Sequence, residues 1–452
     1  MRFIHTRRLV VFVALNLIVV LACLSIESEP STPTPPGPLT LPTPTLLPPT
    51  PTSTPLPSIS TGTVVWDMTT KHEMLSSAGI DQLLVRFLPA NNWVSAQYAV
   101  DTYRIWFRTR DESGLVISVQ ADLRFPRVET VTELPIFVYG SGTTGVANKC
   151  ATLNEHFVGR NWGDYRSHMM SYAAQGYIVI LSNWQGFDDR DRTHPYFVAE
   201  LEGRVMLDAA RAVYDFFEDP PADDILARPA KAIFFGGYSQ GAHGAFAADR
   251  MSSDYAPELE VKGIIGHATS PSVERLMCDS PRYGPYVVYA YRDFYGDEVI
   301  DPANVFLSKW LLTFESDVTS KCIDDVLDYY SDDPVRMYVA EFRDALYNDR
   351  LAEVFPVFKE KLDTNCSGQM VDTAVPAIIL HGGADLIVKL GTVERFVAQI
   401  CGAEKNVTYR TYPGVDHFQT RQHSFVDTLR WMQDVLDGNI PASTCPNFAA
   451  RQ

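Results

Sequence analysis

The chain has 452 residues, 46% of them apolar, and carries a formal net charge of −17 at pH 7. This length and composition allow one large domain or two ordinary ones with a substantial hydrophobic core. The acidic balance argues against nucleic acid and against electrostatic docking on anionic lipid as partners, because basic residues form a run only at the extreme N-terminus.

The first 22 residues have the pattern of a signal peptide. Three arginines and a histidine precede an apolar run at 9–22, which is short for a membrane span. The run ends in Val-Leu-Ala-Cys23, similar to a bacterial lipobox, and this predicts lipidation of Cys23. Plain secretion and an uncleaved anchor are the alternatives. We expect an extracytoplasmic protein, either a cell-surface lipoprotein anchored at Cys23 or secreted, with membrane contact only through this anchor.

A linker rich in proline and threonine follows at 23–60. Its composition cannot bury a core and predicts an extended spacer. The globular sequence that begins at residue 61 is interrupted once. We expect a catalytic core made of 61–269 and 374–452, with an insertion at 270–373.

The core begins with a predicted antiparallel hairpin, and its later part alternates between strands and helices. A helix is predicted at 67–77, and a β-hairpin at 96–108 and 115–125. Further strands are predicted at 136–139, 177–182, 231–236, 261–265, 377–380 and 407–412, and helices at 165–175, 198–218, 392–401 and 423–436. The pattern indicates the α/β class, with a mostly parallel sheet and helices on both faces.

The insertion at 270–373 lacks this alternation, has a helical pattern and is rich in tyrosine and phenylalanine. It lies between two late strands, so it should cover their carboxyl ends, where ligands bind in such sheets. We interpret it as a cap. The alternative is a satellite core without a role in substrate binding.

The motif Gly237-Tyr-Ser239-Gln-Gly241 stands between a predicted strand and a predicted helix. In this setting G-x-S-x-G predicts a strained turn that exposes a nucleophilic serine at the sheet edge. The two glycines would let the helix and the neighbouring strand approach closely. An ordinary strand-to-helix turn is the alternative.

A second glycine-rich segment at 140–145 fits G-x-G-x-x-G, which is typical of dinucleotide sites. No clean helix opens directly after it, so we reject a nucleotide cofactor. The loop instead predicts an oxyanion hole, made by the backbone N–H of Thr144, or of Thr143 as second choice, together with that of Gln240. A glycine-rich turn without a chemical role is the alternative.

A serine nucleophile needs a base, and in this fold the acid and the histidine follow the serine in that order. Asp385 and His417 each follow a predicted strand at the required place in the chain. His417 comes directly after a Pro-Gly turn, which favours it over His423. We expect His243 to pack on the helix that follows the serine.

Six cysteines remain when Cys23 is set aside, and an even number in an exported chain suggests three disulfides. Their spacing does not choose among the possible pairings. No C-x-x-C motif or close Cys/His cluster points to zinc, so we expect no metal and no cofactor.

In order, these motifs resemble the secretory lipases of the lipase A type, which are α/β-hydrolases with a large cap. The similarity runs from about Tyr98 to Cys445. Similar stretches are GYIVILSNWQGF (176–187), LDAARA (207–212), GYSQGAH (237–243), YAPEL (255–259), HGGADLIV (381–388) and YPGVDH (412–417).

The resemblance implies Ser239, Asp385 and His417 as a catalytic triad, in agreement with the motifs. It also implies two disulfide pairings, and the two cysteines that remain then form a third pair by elimination. The resulting pairs are Cys150–Cys322, Cys401–Cys445 and Cys278–Cys366.

We therefore expect an exported, monomeric serine hydrolase that cleaves carboxylic esters with an apolar acyl group through an acyl-enzyme. A serine peptidase or acyltransferase could use the same triad, because a fold does not fix the bond that is cleaved. A non-catalytic surface binding protein is the third hypothesis.

Overall fold

The computed structural model of the protein describes residues 60–369, 372 and 374–449. The predicted signal peptide, the lipidation at Cys23 and all but the last residue of the predicted linker lie outside these described residues. Within them, no helix combines the length and the apolar character needed to cross a membrane.

The strands of the described residues are β1 (Thr70–Leu75), β2 (Val100–Arg110), β3 (Val116–Pro126), β4 (Thr132–Gly140), β5 (Ile178–Ser182), β6 (Ala227–Tyr238), β7 (Glu260–His267), β8 (Ala377–Gly382) and β9 (Val407–Tyr412). They form one sheet in the order β1-β2-β3-β5-β4-β6-β7-β8-β9. The pairs β1–β2, β2–β3 and β3–β5 are antiparallel and the remaining pairs are parallel.

The helices outside the insertion are α1 (Ser77–Phe87), α2 (Tyr165–Ala173), α3 (Ala199–Glu218), α4 (Gln240–Tyr255), α14 (Leu390–Gly402), α15 (Thr420–Leu436) and α16 (Pro446–Ala449). Between β7 and β8 lie α5 (Val273–Asp279), α6 (Gly284–Tyr295), α7 (Ser308–Leu311), α8 (Phe314–Ser320), α9 (Ile323–Tyr329), α10 (Pro334–Met337), α11 (Ala340–Tyr347), α12 (Leu351–Val354) and α13 (Pro356–Thr364). The predicted fold class, a mostly parallel sheet with an inserted helical segment, is confirmed.

The central strand β4 shows how the sheet is covered on both sides. Ile136 and Val138 belong to the hydrophobic cluster that includes α3 and α4. Phe137 and Tyr139 belong to the cluster that includes α2 and α15. Successive side chains of a strand point to opposite faces, so we call these the α3/α4 face and the α2/α15 face.

The predicted helix at 67–77 is wrong. Residues 70–75 form β1, which pairs with β2 and has a register shift between Lys71 and Glu73. The helix begins only at Ser77, after Ser76, whose side chain accepts from the backbone N–H of Gly79. Pairing with the free edge of β2 overrides the local helical preference of the segment.

Two disulfides of the three implied pairings are present, Cys150–Cys322 and Cys401–Cys445. The third is wrong, because Cys278 and Cys366 are free thiols. Cys278 lies in the last turn of α5, whereas the Cys366 sulfur lies 3.4 Å from the carbonyl oxygen of Pro271, just before that helix. At a rise of about 1.5 Å per residue the two ends of α5 are roughly 10 Å apart, too far for a disulfide.

Candidate active site

Ser239 occupies a strained turn between β6 and α4. Its backbone has φ 55° and ψ −110°, values that a residue with a side chain rarely adopts. Such a conformation costs about 1–3 kcal/mol and persists only where the surrounding structure imposes it. The sharp turn predicted at the G-x-S-x-G motif is therefore present.

The glycines of the motif are required by close backbone approach. A Cβ on Gly237 would lie 2.0 Å from the carbonyl carbon of Gly241. A Cβ on Gly241 would lie 1.9 Å from the carbonyl oxygen of Gly140. The start of α4 thus packs directly against its own strand and against the end of β4, which holds Ser239 at the carboxyl edge of the sheet.

The structure brings Asp385 and His417 together from two neighbouring loops. Asp385 follows β8 and His417 follows β9, and the Nδ1 of His417 lies 2.6 Å from Oδ2 of Asp385. The imidazole ring also lies 5.1 Å, between ring centroids, from the ring of Tyr238, the residue before Ser239. His417 rather than His423 is thus the histidine bonded to Asp385.

The carboxylate of Asp385 is held in its ionised form. Burial alone would raise its pKa, but His417, the nearby His381 and a backbone hydrogen bond outweigh burial and the pKa is lowered. Its Oδ1 accepts from the backbone N–H groups of Ile387 and Val388, both at 2.9 Å. An ionised carboxylate at Nδ1 orients the imidazole so that Nε2 is left to act as a base.

The predicted oxyanion loop is fixed by buried contacts. The Thr143 hydroxyl lies 2.7 Å from that of Tyr196, and the backbone N–H of Gly142 donates to the hydroxyl of Tyr165 at 2.7 Å. The Thr144 hydroxyl is buried and has no hydrogen-bond partner within the described residues.

The loop is also joined to the inserted helical segment. The carbonyl oxygen of Thr144 accepts from the backbone N–H of Ile323 at 2.9 Å. The Cys150–Cys322 disulfide ties the two segments together at the same place. The position of the loop therefore depends on that of the insertion.

Gln240 supplies the first backbone N–H of α4. The first N–H groups of a helix have no partner within the helix and can donate to an anion. Its side-chain amide is held in place, because Nε2 donates to Nε2 of His194 at 2.6 Å and to Oε1 of Glu202 at 2.7 Å.

Glu202 is the centre of a buried network that the sequence reasoning missed. Besides Gln240, it accepts from Nδ1 of His243 at 2.6 Å and from the backbone N–H of Phe197 at 3.2 Å. The other ring nitrogen of His243 lies 2.7 Å from the carbonyl oxygen of Asn365. The sequence signal was weak, because Glu202 is a single carboxylate inside a predicted helix and its partners are distant in the chain.

The site is closed to solvent. Ser239 is 6% exposed and His417 is 3% exposed. Asp279, at the end of α5 in the insertion, accepts from the backbone N–H of Lys389 at 3.0 Å, so the insertion contacts the segment that follows Asp385. No cluster of three or more potential metal-ligating side chains occurs in the part of the chain that the structure describes.

The sequence is similar to that of known lipases. A model of the secretory lipase family matches residues 166–277. Lipase A of Moesziomyces aphidis is 24% identical over 280 residues, which cover 60% of this chain and 57% of that protein. The match thus spans little more than half the length of the curated relative.

Solved structures share the fold. A ligand-bound form of the rice cell wall degrading esterase LipA from Xanthomonas oryzae superposes with a TM-score of 0.68 and 19% identity, covering 84% of this chain and 100% of that one. Candida antarctica lipase A in its closed state gives a TM-score of 0.64 and 19% identity, with 85% and 84% coverage. The resemblance drawn from the sequence is confirmed: the chain is similar to the secretory lipase family over residues 166–277 and shares the α/β-hydrolase fold of these esterases and lipases.

Proposed function

We propose that the protein is an exported serine hydrolase that cleaves carboxylic esters. The observation that carries the proposal is the hydrogen bond between His417 and Asp385, at the same sheet edge as the strained Ser239. A serine is a weak nucleophile unless a base takes its proton, and an imidazole oriented by a carboxylate is such a base.

In the proposed reaction, Ser239 Oγ attacks the ester carbonyl while His417 Nε2 takes the hydroxyl proton. Asp385 keeps the imidazole oriented and stabilises its protonated form. Backbone N–H groups of Gln240 and of Thr144, with Thr143 as second choice, bind the developing oxyanion. His417 returns the proton to the leaving alcohol, and water then hydrolyses the acyl-enzyme by the same steps.

We propose an ester with an apolar acyl group as substrate, reached through the insertion at 270–373 acting as a cap. The insertion contains many buried tyrosine and phenylalanine side chains, and its helix α5 contacts the segment that follows Asp385. The esterase and lipase names of the solved structures support the same bond type. No step of the proposed reaction requires a metal or cofactor.

We further propose that the chain acts outside the cytoplasm as a monomer. Its two disulfides are typical of an oxidising compartment. The N-terminal pattern, with Cys23 as lipidated residue, would anchor it to a membrane, while plain secretion is the alternative.

The test is Ser239→Ala, assayed on p-nitrophenyl esters of increasing acyl length and on aminoacyl amides. We expect the rate to fall by roughly 10⁴- to 10⁶-fold while the fold is kept. Ser252→Ala is the matched control, because that buried hydroxyl of α4 donates only to the carbonyl oxygen of Asp249 at 2.8 Å.

Two outcomes would reject the assignment. Wild-type rates in Ser239→Ala would show that Ser239 is not the nucleophile. A wild-type protein that does not react with a fluorophosphonate probe would indicate a binding protein rather than an enzyme. Faster turnover of amides than of esters would instead favour a peptidase.

A further inference from the structure

We propose that Arg421 is a positioning residue that aligns three parts of the site: the strand end before Ser239, the loop at 140–145, and the helix that follows His417. The proposal rests on the proposed function. Arg421 lies near the start of α15 and is 1% exposed.

The first contact is with the strand end that carries the serine. The guanidinium carbon of Arg421 lies 4.3 Å from the ring centroid of Tyr238. This distance is well within the range of a cation–π interaction, which is strengthened when the pair is removed from water. Because Tyr238 directly precedes Ser239 and its ring also packs on His417, a shift of this ring would move both proposed catalytic groups.

The second contact leads to the oxyanion loop. The same guanidinium carbon lies 5.1 Å from the ring centroid of Tyr165, whose hydroxyl accepts from the backbone N–H of Gly142. The loop also packs directly against Tyr238, because a Cβ on Gly142 would lie 2.7 Å from its ring. Arg421 therefore lies over two of the rings that support the loop.

The third contact fixes α15 itself. The Nη2 of Arg421 donates to the carbonyl oxygen of Gly163 at 2.6 Å, and Nη1 lies 3.4 Å from Nδ1 of His168. Both partners belong to α2 or to the segment just before it. Since His417 lies only four residues before Arg421 in the chain, these bonds restrict the loop that carries the imidazole.

The charge of Arg421 is not used in an ion pair. Among the described residues no carboxylate lies within salt-bridge distance of its guanidinium. Glu155 interacts with it only at longer range, and its carboxylate accepts from three backbone N–H groups at 163–165. A buried cation without a carboxylate contact is costly. A planar guanidinium can stack on rings while its edges donate hydrogen bonds, which a lysine ammonium cannot do.

The experiment compares Arg421→Met and Arg421→Lys with Arg124→Met. Arg124 is the matched control, because it is a buried arginine of β3 whose guanidinium donates to Asp122 at 2.8 Å. The readouts are kcat and KM on a short p-nitrophenyl ester and the rate of inactivation by a fluorophosphonate. All are measured where circular dichroism shows a fully folded protein.

We expect kcat of Arg421→Met to fall by about 10- to 100-fold, as for an ångström-scale misplacement of reacting groups. The KM should change by less than about threefold, and inactivation should slow in parallel with kcat, because both need the aligned serine and imidazole. The kcat of Arg421→Lys should fall by less than that of Arg421→Met. Arg124→Met should keep kcat within about twofold even if its stability falls.

The proposal is overturned if folded Arg421→Met has the same kcat as Arg124→Met. Should Arg421→Met not fold, Arg421→Lys and Tyr165→Phe decide, and full kcat in both would overturn it. A wild-type protein that neither hydrolyses esters nor reacts with the fluorophosphonate would reject the proposed function, and this proposal with it.

Discussion

On the α3/α4 face of the sheet, the residue after Ser239 is held by hydrogen bonds among buried charged and polar groups. On the α2/α15 face, the residue before it is held by a guanidinium stacked on aromatic rings. Gln240 is bonded to Glu202 and His194, whereas Tyr238 is covered by Arg421. The two faces therefore fix adjacent residues by different physical interactions.

The difference determines what a substitution on each face should do. Hydrogen bonds between buried polar groups are strongly directional, and removing one partner leaves the others unsatisfied in a medium of low dielectric constant. Stacking of a cation on rings depends less on direction, so a substitution there leaves fewer donors and acceptors unsatisfied. We expect damage on the α3/α4 face to appear mainly as lost stability, and damage on the α2/α15 face mainly as lost alignment.

The largest effect should come from Glu202→Leu. The change leaves Gln240, His243 and the backbone N–H of Phe197 without their shared acceptor. A buried donor left without its acceptor typically costs about 1–3 kcal/mol, and three donors lose their acceptor here. Urea unfolding of wild type and variant at pH 7 would measure the loss.

Glu202→Gln is the matched control for that experiment. Its amide oxygen can still accept from Gln240 and its amide nitrogen can donate to His243, whose other nitrogen then donates to the carbonyl of Asn365. We expect it to retain most of the stability. Equal losses in the two variants would show that the carboxylate charge, which both variants lack, rather than the hydrogen bonds, stabilises this face.

The turn at Ser239 and the positions of Asp385 and His417 could be predicted from the sequence, because their sequence signals are local. The strand before Ser239 and the glycines around it lie within a few residues of one another. Asp385 and His417 each follow a predicted strand, in the chain order that the serine motif predicts for an acid and a histidine. The structure places these two side chains in direct contact.

The features that were missed depend on contacts between distant segments. Glu202 stands alone in a predicted helix, and Arg421 stands two residues before the predicted start of the last one, so neither carries a local pattern. The wrong pair Cys278–Cys366 came from elimination, which assumes that every cysteine is paired. The helix wrongly predicted at 67–77 also reflects a distant contact. The segment forms β1 by pairing with β2, which begins 25 residues after β1 ends.

An intermediate effect should appear on acidification, because both faces contain buried histidines. Burial lowers the pKa of His267, on the α2/α15 face, to about 3, and that of His194, on the α3/α4 face, to about 3. In the unfolded chain a histidine titrates near 6.5, so between these values the unfolded state binds more protons. Stability should therefore fall as pH falls below about 6.5, by up to ~1.4 kcal/mol per pH unit for each histidine.

His267→Gln and His194→Gln, unfolded by urea at several pH values between 6 and 4, test this point. Each variant should reduce the pH slope of the free energy of unfolding by the contribution of one proton. A slope unchanged from wild type in either variant would mean that the histidine is already protonated in the folded protein. Unequal slopes would mean that the two faces differ in how they solvate an imidazole.

The smallest effect should come from the hydroxyl pair between Thr143 and Tyr196. Tyr196→Phe leaves the buried Thr143 hydroxyl without its partner at 2.7 Å and should cost about 1–2 kcal/mol. Thr143→Val should cost a similar amount, but the double variant should lose less than the sum, because two apolar groups then face each other. The double-mutant cycle measures the interaction directly. Strict additivity would show that the two hydroxyls do not interact, and that packing rather than this hydrogen bond fixes the loop at 140–145 on the α3/α4 face.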